Sequence, residues 1–216
     1  MNKQGVAFLV LLLLAVMQCG FGQTVYQLPF ASSGNSIELT VSNTATIPLA
    51  GVKIEATNVP SWLKFTATEQ RIALLKAQQE MAATFTFSVD KSAPVQKSQT
   101  LKFILSAPTG EKWTKEITVA VSPPDHFELF QNFPNPFNPT TIISYQLVAD
   151  SRVTMKIFNL LGQEVATLVD GQRQAGYHGE RWEARGFASG TYIYQLLLID
   201  EKGNRQIARK KLVVLK

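Results

Sequence analysis

The stretch Met81-Ala-Ala-Thr-Phe-Thr-Phe-Ser-Val89 alternates strictly, with Met81, Ala83, Phe85, Phe87 and Val89 on one parity and Thr84, Thr86 and Ser88 on the other. A strand with one face buried and the other in water requires that period of two. The pattern returns at Ile37/Leu39/Val41, Val52/Ile54/Ala56, Leu101/Phe103/Leu105 and Ile117/Val119/Val121. Turn formers separate these runs, among them Ser32-Ser-Gly-Asn35, Asn58-Val-Pro60 and Pro108-Thr-Gly110. Residues 71–81 have the Ala, Gln and Lys content of a helix but are short and carry no N-cap, so a strand followed by a loop is predicted. Trp113 shares parity with Lys115 and Ile117, which predicts the core face, whereas Trp62, after Pro60-Ser61, is a candidate for exposure. Some seven short strands in about 100 residues predict an immunoglobulin-like β-sandwich over residues 23–122.

The last third repeats this logic with six predicted strands, at 141–147, 153–159, 164–169, 177–183, 191–199 and 205–214. Leu161-Gly-Gln163, Asp170-Gly171, Ala188-Ser-Gly190 and Glu201-Lys-Gly-Asn204 are the predicted turns. Between the halves, Ser122-Pro-Pro-Asp125 admits neither a helix nor a central strand, because two prolines fix φ and remove two donors. Asn132-Phe-Pro-Asn-Pro-Phe-Asn-Pro139 continues as a stiff, extended, Asx-rich segment, with Phe133 and Phe137 expected to plug it onto the following sandwich. The predicted fold is therefore all-β: two tandem immunoglobulin-like β-sandwiches joined by a Pro-rich linker over 123–139.

The start of the chain departs from this pattern. Met1-Asn-Lys-Gln4 precedes an unbroken apolar run at 6–17, too short for the roughly 20 residues a spanning helix needs but suited to a secretory signal peptide. Gly20 and Gly22 supply the small residues that cleavage wants, which predicts a leader over 1–22 and Gln23 as the mature N-terminus. Gln18 and Met17 argue against lipidation of Cys19, the only cysteine, so the mature chain is expected to hold no disulfide and no Cys-ligated metal. No later run has 18 uninterrupted apolar residues, so no integral membrane segment is expected in the mature chain.

Composition narrows the chemistry. The content is 45% hydrophobic and 17% charged, enough for a core and against wholesale disorder. Residues 23–123 hold nine Lys/Arg and seven Asp/Glu, and residues 124–216 hold eleven and nine, evenly mixed. That even balance, without a basic stripe or an aromatic platform, argues against a nucleic-acid partner. The two imidazoles, His126 and His178, are far apart in sequence. Glu38, Glu55, Glu69, Glu80 and Asp90 show no paired spacing of the glycosidase kind, and Asp200-Glu-Lys-Gly-Asn204 lacks the alternating ligands of a calcium loop. No phosphate loop, dinucleotide fingerprint or Gly-x-Ser-x-Gly is present. The expectation is a non-enzymatic protein with no cofactor, no metal and no catalytic residue.

The segment Phe127-Glu-Leu-Phe-Gln-Asn-Phe-Pro-Asn-Pro-Phe-Asn-Pro-Thr-Thr141 resembles the type A C-terminal sorting domain of type IX secretion cargo. The likeness continues through Val153-Thr-Met-Lys-Ile-Phe-Asn-Leu-Leu-Gly-Gln-Glu-Val165, Ala175-Gly-Tyr-His178, Trp182, Ala188-Ser-Gly-Thr-Tyr192 and Lys210-Lys-Leu-Val-Val214, covering about 127–216. One departure is the short run Trp182-Glu-Ala-Arg-Gly-Phe187, where the family commonly has a longer hairpin with a glycine-rich tip. The resemblance implies export to the periplasm, then recognition by the type IX outer-membrane translocon. It further implies a secreted or cell-surface destination, with surface lipopolysaccharide as a candidate attachment partner. The family's motifs map onto Gly190, Tyr192 and Leu196 and onto Lys210, Lys211 and Val213 as sorting-signal candidates. Tyr192, Tyr194 and Leu196 alternate to bury one face, and Lys210 and Lys211 keep the edge of the closing strand soluble.

Leu39-Thr-Val-Ser-Asn43, Leu49-Ala-Gly-Val52 and Val59-Pro-Ser-Trp62 distantly resemble the immunoglobulin-like domains of bacterial surface and carbohydrate-active proteins. The first half is thus expected to be a binding, adhesive or structural module. The alternative is a carbohydrate-binding module of the cell surface that stacks a glycan on Trp62.

Overall fold

The computed structural model describes residues 24–216 and the backbone of one strand further upstream, Val6–Leu11. The predicted cleavage point between Gly22 and Gln23 lies outside the described residues. The protein is all-β, and none of the described residues forms a helix long and apolar enough to cross a membrane. It divides into two compact units, Met1–Ser122 and Pro123–Lys216.

Nine strands belong to the first unit: β1 (Val6–Leu11), β2 (Val25–Leu28), β3 (Asn35–Asn43), β4 (Leu49–Thr57), β5 (Leu63–Phe65), β6 (Glu69–Leu75), β7 (Glu80–Val89), β8 (Ser98–Ser106) and β9 (Lys112–Val121). They form two sheets, in the orders β1-β3-β7-β5 and β2-β9-β8-β4-β6. Pairing is antiparallel except between β2 and β9. The alternating residues face inward as their parity requires: Ile37, Leu39 and Val41 from β3 and Phe85 and Phe87 from β7 share one core with Ile54, Phe103 and Val119. Phe85 and Phe103 meet with ring centroids 5.2 Å apart.

One buried polar residue, Asn43 at the end of β3, ties this core together. Its side-chain amide donates to the carbonyls of Ile47 (2.9 Å), Leu75 (3.2 Å) and Lys76 (3.1 Å), and its Oδ1 accepts from the Ala45 N–H (3.0 Å). Full satisfaction is what makes a buried amide tolerable. Residues 71–81 follow the predicted strand-then-loop reading, with β6 ending at Leu75 and a turn through Gln78 (φ 56°) leading into β7.

Seven strands follow in the second unit: β10 (Glu128–Leu129), β11 (Thr140–Leu147), β12 (Ser151–Phe158), β13 (Glu164–Arg173), β14 (Gly176–Glu183), β15 (Gly190–Asp200) and β16 (Arg205–Val214). A three-stranded sheet, β10-β11-β14, faces a four-stranded one, β13-β12-β15-β16. Ile143, Tyr145 and Leu147 of β11 and Trp182 of β14 pack on Val153, Met155 and Ile157 of β12 and on Tyr194, Leu196 and Leu198 of β15.

Two expectations for this unit are corrected. Asp170-Gly171 is not a turn: both residues lie within β13, opposite Thr154 and Val153 of β12. The ladder runs in regular register from Val169 through Arg173, and its irregularities lie nearer the hairpin tip, between Met155 and Lys156 and between Ile157 and Phe158. Phe133 is no plug either; it is 81% exposed, whereas Phe137 is buried to 3%.

Candidate functional site

The Asn/Pro segment before β11 is fastened to the sandwich by side-chain amides. Asn132 is buried; its Nδ2 donates to the Pro134 carbonyl (3.0 Å) and to Thr141 Oγ1 (2.9 Å), and its Oδ1 accepts from Gln131 Nε2 (2.8 Å). Its backbone N–H donates to the Tyr194 hydroxyl (3.1 Å), which in turn donates to the Phe130 carbonyl (2.8 Å). Burial pushes the Tyr194 phenol up to about 12, so it remains a donor throughout the physiological range.

Beyond that knot the segment runs along the outer edge of β16. Gln131 Nε2 donates to the Lys211 carbonyl (2.7 Å) and Asn135 Oδ1 accepts from the Val213 N–H (2.9 Å). The Phe137 N–H donates to the Val213 carbonyl (3.0 Å), and the Phe137 carbonyl accepts from the Leu215 N–H (2.9 Å). An edge strand with unpaired backbone groups invites pairing with other chains, and here the last half of β16 is closed by its own chain.

The six sorting-signal candidates fall on two neighbouring strands. Gly190 pairs with Val214, Thr191 with Val213, Tyr192 with Leu212, Ile193 with Lys211, Tyr194 with Lys210 and Leu196 with Ala208. Gly190 sits at φ +148°, and nothing lies within 4 Å of a Cβ built there, so the backbone rather than crowding selects glycine. Tyr192 is buried and its hydroxyl donates to the Ala188 carbonyl (3.0 Å), closing the turn that Gly190 opens. Leu196 is fully buried, Val213 and Lys210 are half-buried, and Lys211 is exposed. Tyr192 and Leu196 therefore shape the domain from within, while Gly190 and Lys211 lie on its surface.

Beneath the Gly190 turn, Trp182 collects Phe137 (5.5 Å), Phe187 (5.5 Å) and Tyr192 (5.8 Å) in tilted and edge-on contacts. The short run after Trp182 is a tight turn, with Gly186 at φ +88° and the Phe187 N–H donating to the Ala184 carbonyl (3.1 Å). The Ala184 N–H donates to the Pro139 carbonyl (2.8 Å), which joins this turn to the end of the proline segment. These interlocked elements are the ones that carry the resemblance seen in the sequence: proline segment, tryptophan, glycine turn and final strand.

Residues 131–215 match the family described as the secretion system C-terminal sorting domain. The second unit is a type IX secretion sorting domain. The sorting domain marks the chain as a substrate of that system and implies an interaction with the secretion machinery and export to the surface or the medium. No curated protein matches the chain.

Three solved structures are similar at low scores. The YadV chaperone is 10% identical with a TM-score of 0.31, over 86% of this chain and 96% of that one. Dimeric latent PorU from Porphyromonas gingivalis is 13% identical with a TM-score of 0.35, over 96% of this chain but 20% of that one. The secreted serine protease VesC from Vibrio cholerae is 9% identical with a TM-score of 0.31, over 85% and 49%. At such scores none of them bears on what this chain does.

The first unit places Trp62 in its core. The residue is 8% exposed, in a turn closed by the Leu63 N–H donating to the Pro60 carbonyl (3.0 Å), and its own carbonyl accepts from the Asp90 N–H (2.8 Å). A buried indole has no free face for a sugar ring, so the predicted glycan contact at Trp62 is corrected. Trp113 is half-buried against the same core. An open groove of about 360 Å³ lies instead beside β5 and β7, lined by Ser33, Lys64, Phe65, Thr66 and Ser88 among others.

Among the described residues no three His, Cys, Asp or Glu side chains converge as metal ligands. His178 stacks on Tyr145 (5.1 Å) and its Nε2 hydrogen-bonds the Gln174 carbonyl (2.7 Å). His126 is exposed between Asp125 (2.5 Å) and Glu128 (3.4 Å), and these carboxylates raise its pKa above the ordinary value.

Proposed function

We propose that this chain is a non-enzymatic surface or secreted protein delivered in two steps: a cleaved leader takes it to the periplasm, and the folded sorting domain then hands it to the outer-membrane translocon. The observation that carries the reading is the coincidence of the family match at 131–215 with a unit, Pro123–Lys216, that has its own core. An address of this kind is whole only once β16 and the segment that seals its edge are both in place. Surface lipopolysaccharide is the proposed anchor where the protein is retained rather than released.

In this reading the first unit is the cargo, a binding or structural module. A glycan-binding role stays attached to one observation, the open groove with Phe65 and Lys64 on its wall. Polysaccharide pull-down with Phe65→Ala as the control tests it, and equal retention of both forms removes it.

The delivery claim is tested by fractionating cells that make the full chain or a chain lacking residues 125–216, with intact-mass measurement of each fraction. The truncated form is expected in the periplasm and the full chain on the surface or in the medium. Equal export of both contradicts the proposal.

A further inference from the structure

The β12–β13 hairpin turns through residues 159–163, and its tip presents two leucines to water: Leu160 is 70% exposed and Leu161 83%. The turn itself does not ask for them. Asn159 Oδ1 accepts from the N–H groups of Leu161 (3.0 Å) and Gln163 (3.0 Å), Asn159 Nδ2 donates to Gln163 Oε1 (2.8 Å), and Gly162 takes the left-handed conformation at φ +77°. Asn159 and Gly162 build the loop, and any polar pair would serve between them. Two apolar side chains are instead held out from a rigid frame, which lowers the entropy cost of presenting them to a partner.

Register places the tip within the domain. Phe158 pairs with Ile193 of β15, so the tip projects past the level of Thr191, at the Gly190 end of the sheet. Leu215 follows Val214, the partner of Gly190, and is also exposed. The exposed pair Phe133 and Ile142, bonded to each other across an isolated bridge, lies near the start of β11 on the side where Phe137 meets Val214. Five of the large exposed apolar residues of this domain thus gather toward one pole. The chain enters the domain at the other pole, where Glu128 pairs with Gln146 near the end of β11.

We infer that the Leu160-Leu161 tip is the principal docking point of the sorting domain, inserting into an apolar cleft of an outer-membrane component of the secretion system. This inference rests on the sorting function proposed above, whose family is read by such machinery. It moves recognition away from Lys210 and Lys211, whose strand edge is largely taken up by Gln131, Asn135 and Phe137. Two adjacent apolar side chains this exposed are suited to an interaction site.

The test uses the full chain in a host that carries the secretion system, as wild type, Leu160→Ser/Leu161→Ser, Leu160→Met/Leu161→Met and Lys210→Gln/Lys211→Gln. Burying one leucine is worth roughly tenfold or more in affinity, so the Ser pair is expected to cut the surface-plus-medium fraction at least about tenfold, with folded protein accumulating in the periplasm. The Met pair and the Gln pair are expected to export within about twofold of wild type. Thermal melting of the purified variants checks folding; if the Ser pair melts lower than wild type, Leu161→Ser alone carries the test.

Wild-type export of the Ser pair overturns the inference and leaves the sorting function standing, whereas failure of the wild type itself to export overturns the reading beneath it. Loss of export in the Gln pair with retention in the Ser pair returns recognition to the lysines. Leucine-dependent self-association in sedimentation, or leucine-dependent binding to phospholipid vesicles, with unchanged export, assigns the tip to another occupant and likewise overturns the inference.

Discussion

Phe133 and Phe137 stand four residues apart in one proline-rich segment, and the structure gives them opposite roles. Phe137 is 3% exposed, with its ring 5.5 Å from Trp182 and its backbone bonded to Val213 and Leu215, while Phe133 is 81% exposed. Removing a buried phenylalanine ring costs about 3–5 kcal/mol in lost transfer energy and residual cavity, whereas a change at an exposed site stays within about 0.5 kcal/mol. Since a small domain has on the order of 5–15 kcal/mol in all, Phe137→Ala consumes a large share of the sorting domain's stability. With a urea slope of about 1–3 kcal/mol per molar, the unfolding midpoint falls by roughly 1–5 M for Phe137→Ala and hardly moves for Phe133→Ala. Trp182 is the only tryptophan of the second unit, and its ring lies against Phe137. Fluorescence in a Trp62→Phe/Trp113→Phe background therefore follows this unit alone. Equal midpoints for the two alanine variants would refute the claim that Phe137 clamps the proline segment over β16.

Asn159→Ala is expected to free the hairpin tip, so the amide protons of Leu161 and Gln163 exchange with solvent faster while those of β12 do not; unchanged exchange argues against the Asn159 frame. Gly190→Val forces a side chain into a conformation that costs about 1–3 kcal/mol, despite open space around it, and denaturant unfolding should show that loss. Asp90 has its carboxyl lowered from 3.8 to about 2 by hydrogen bonds from Ser92 and then from Lys64. A depressed carboxylate stabilises the fold above its unfolded pKa, and the contribution is lost as pH falls toward 2. The first unit should therefore weaken between about pH 4 and 2, with Asp90→Asn flattening that dependence; identical acid profiles contradict it. Tyr194→Phe removes the link between Phe130 and Asn132 and should cost about 1–3 kcal/mol, read in the same Trp182 assay.

Strict alternation made the strands legible, because a half-buried sheet leaves a period-two signature in every strand. The sorting-domain motifs were legible too, since they combine turn residues, aromatics and a terminal strand in a fixed order. Phe133 and Phe137 were not separable: a proline segment has no period, so nothing local says which ring turns inward. Trp62 was misread for a related reason, as a residue after Pro60-Ser61 looks like loop while Asp90 and the Pro60 turn fold it onto the core. Asp170-Gly171 looked like a turn because Asp-Gly is a common turn pair, and nothing local shows that β12 goes on pairing through it to Arg173. Leu160 and Leu161 sat inside a recognised motif, yet only the solvent exposure of the Asn159 turn makes them conspicuous.

The most direct measurement attaches residues 123–216 to a fluorescent passenger behind a periplasmic export leader, in cells with and without a working type IX system. The account predicts passenger fluorescence on the outer surface or in the medium only where the system works. Fluorescence confined to the envelope in both strains would contradict it.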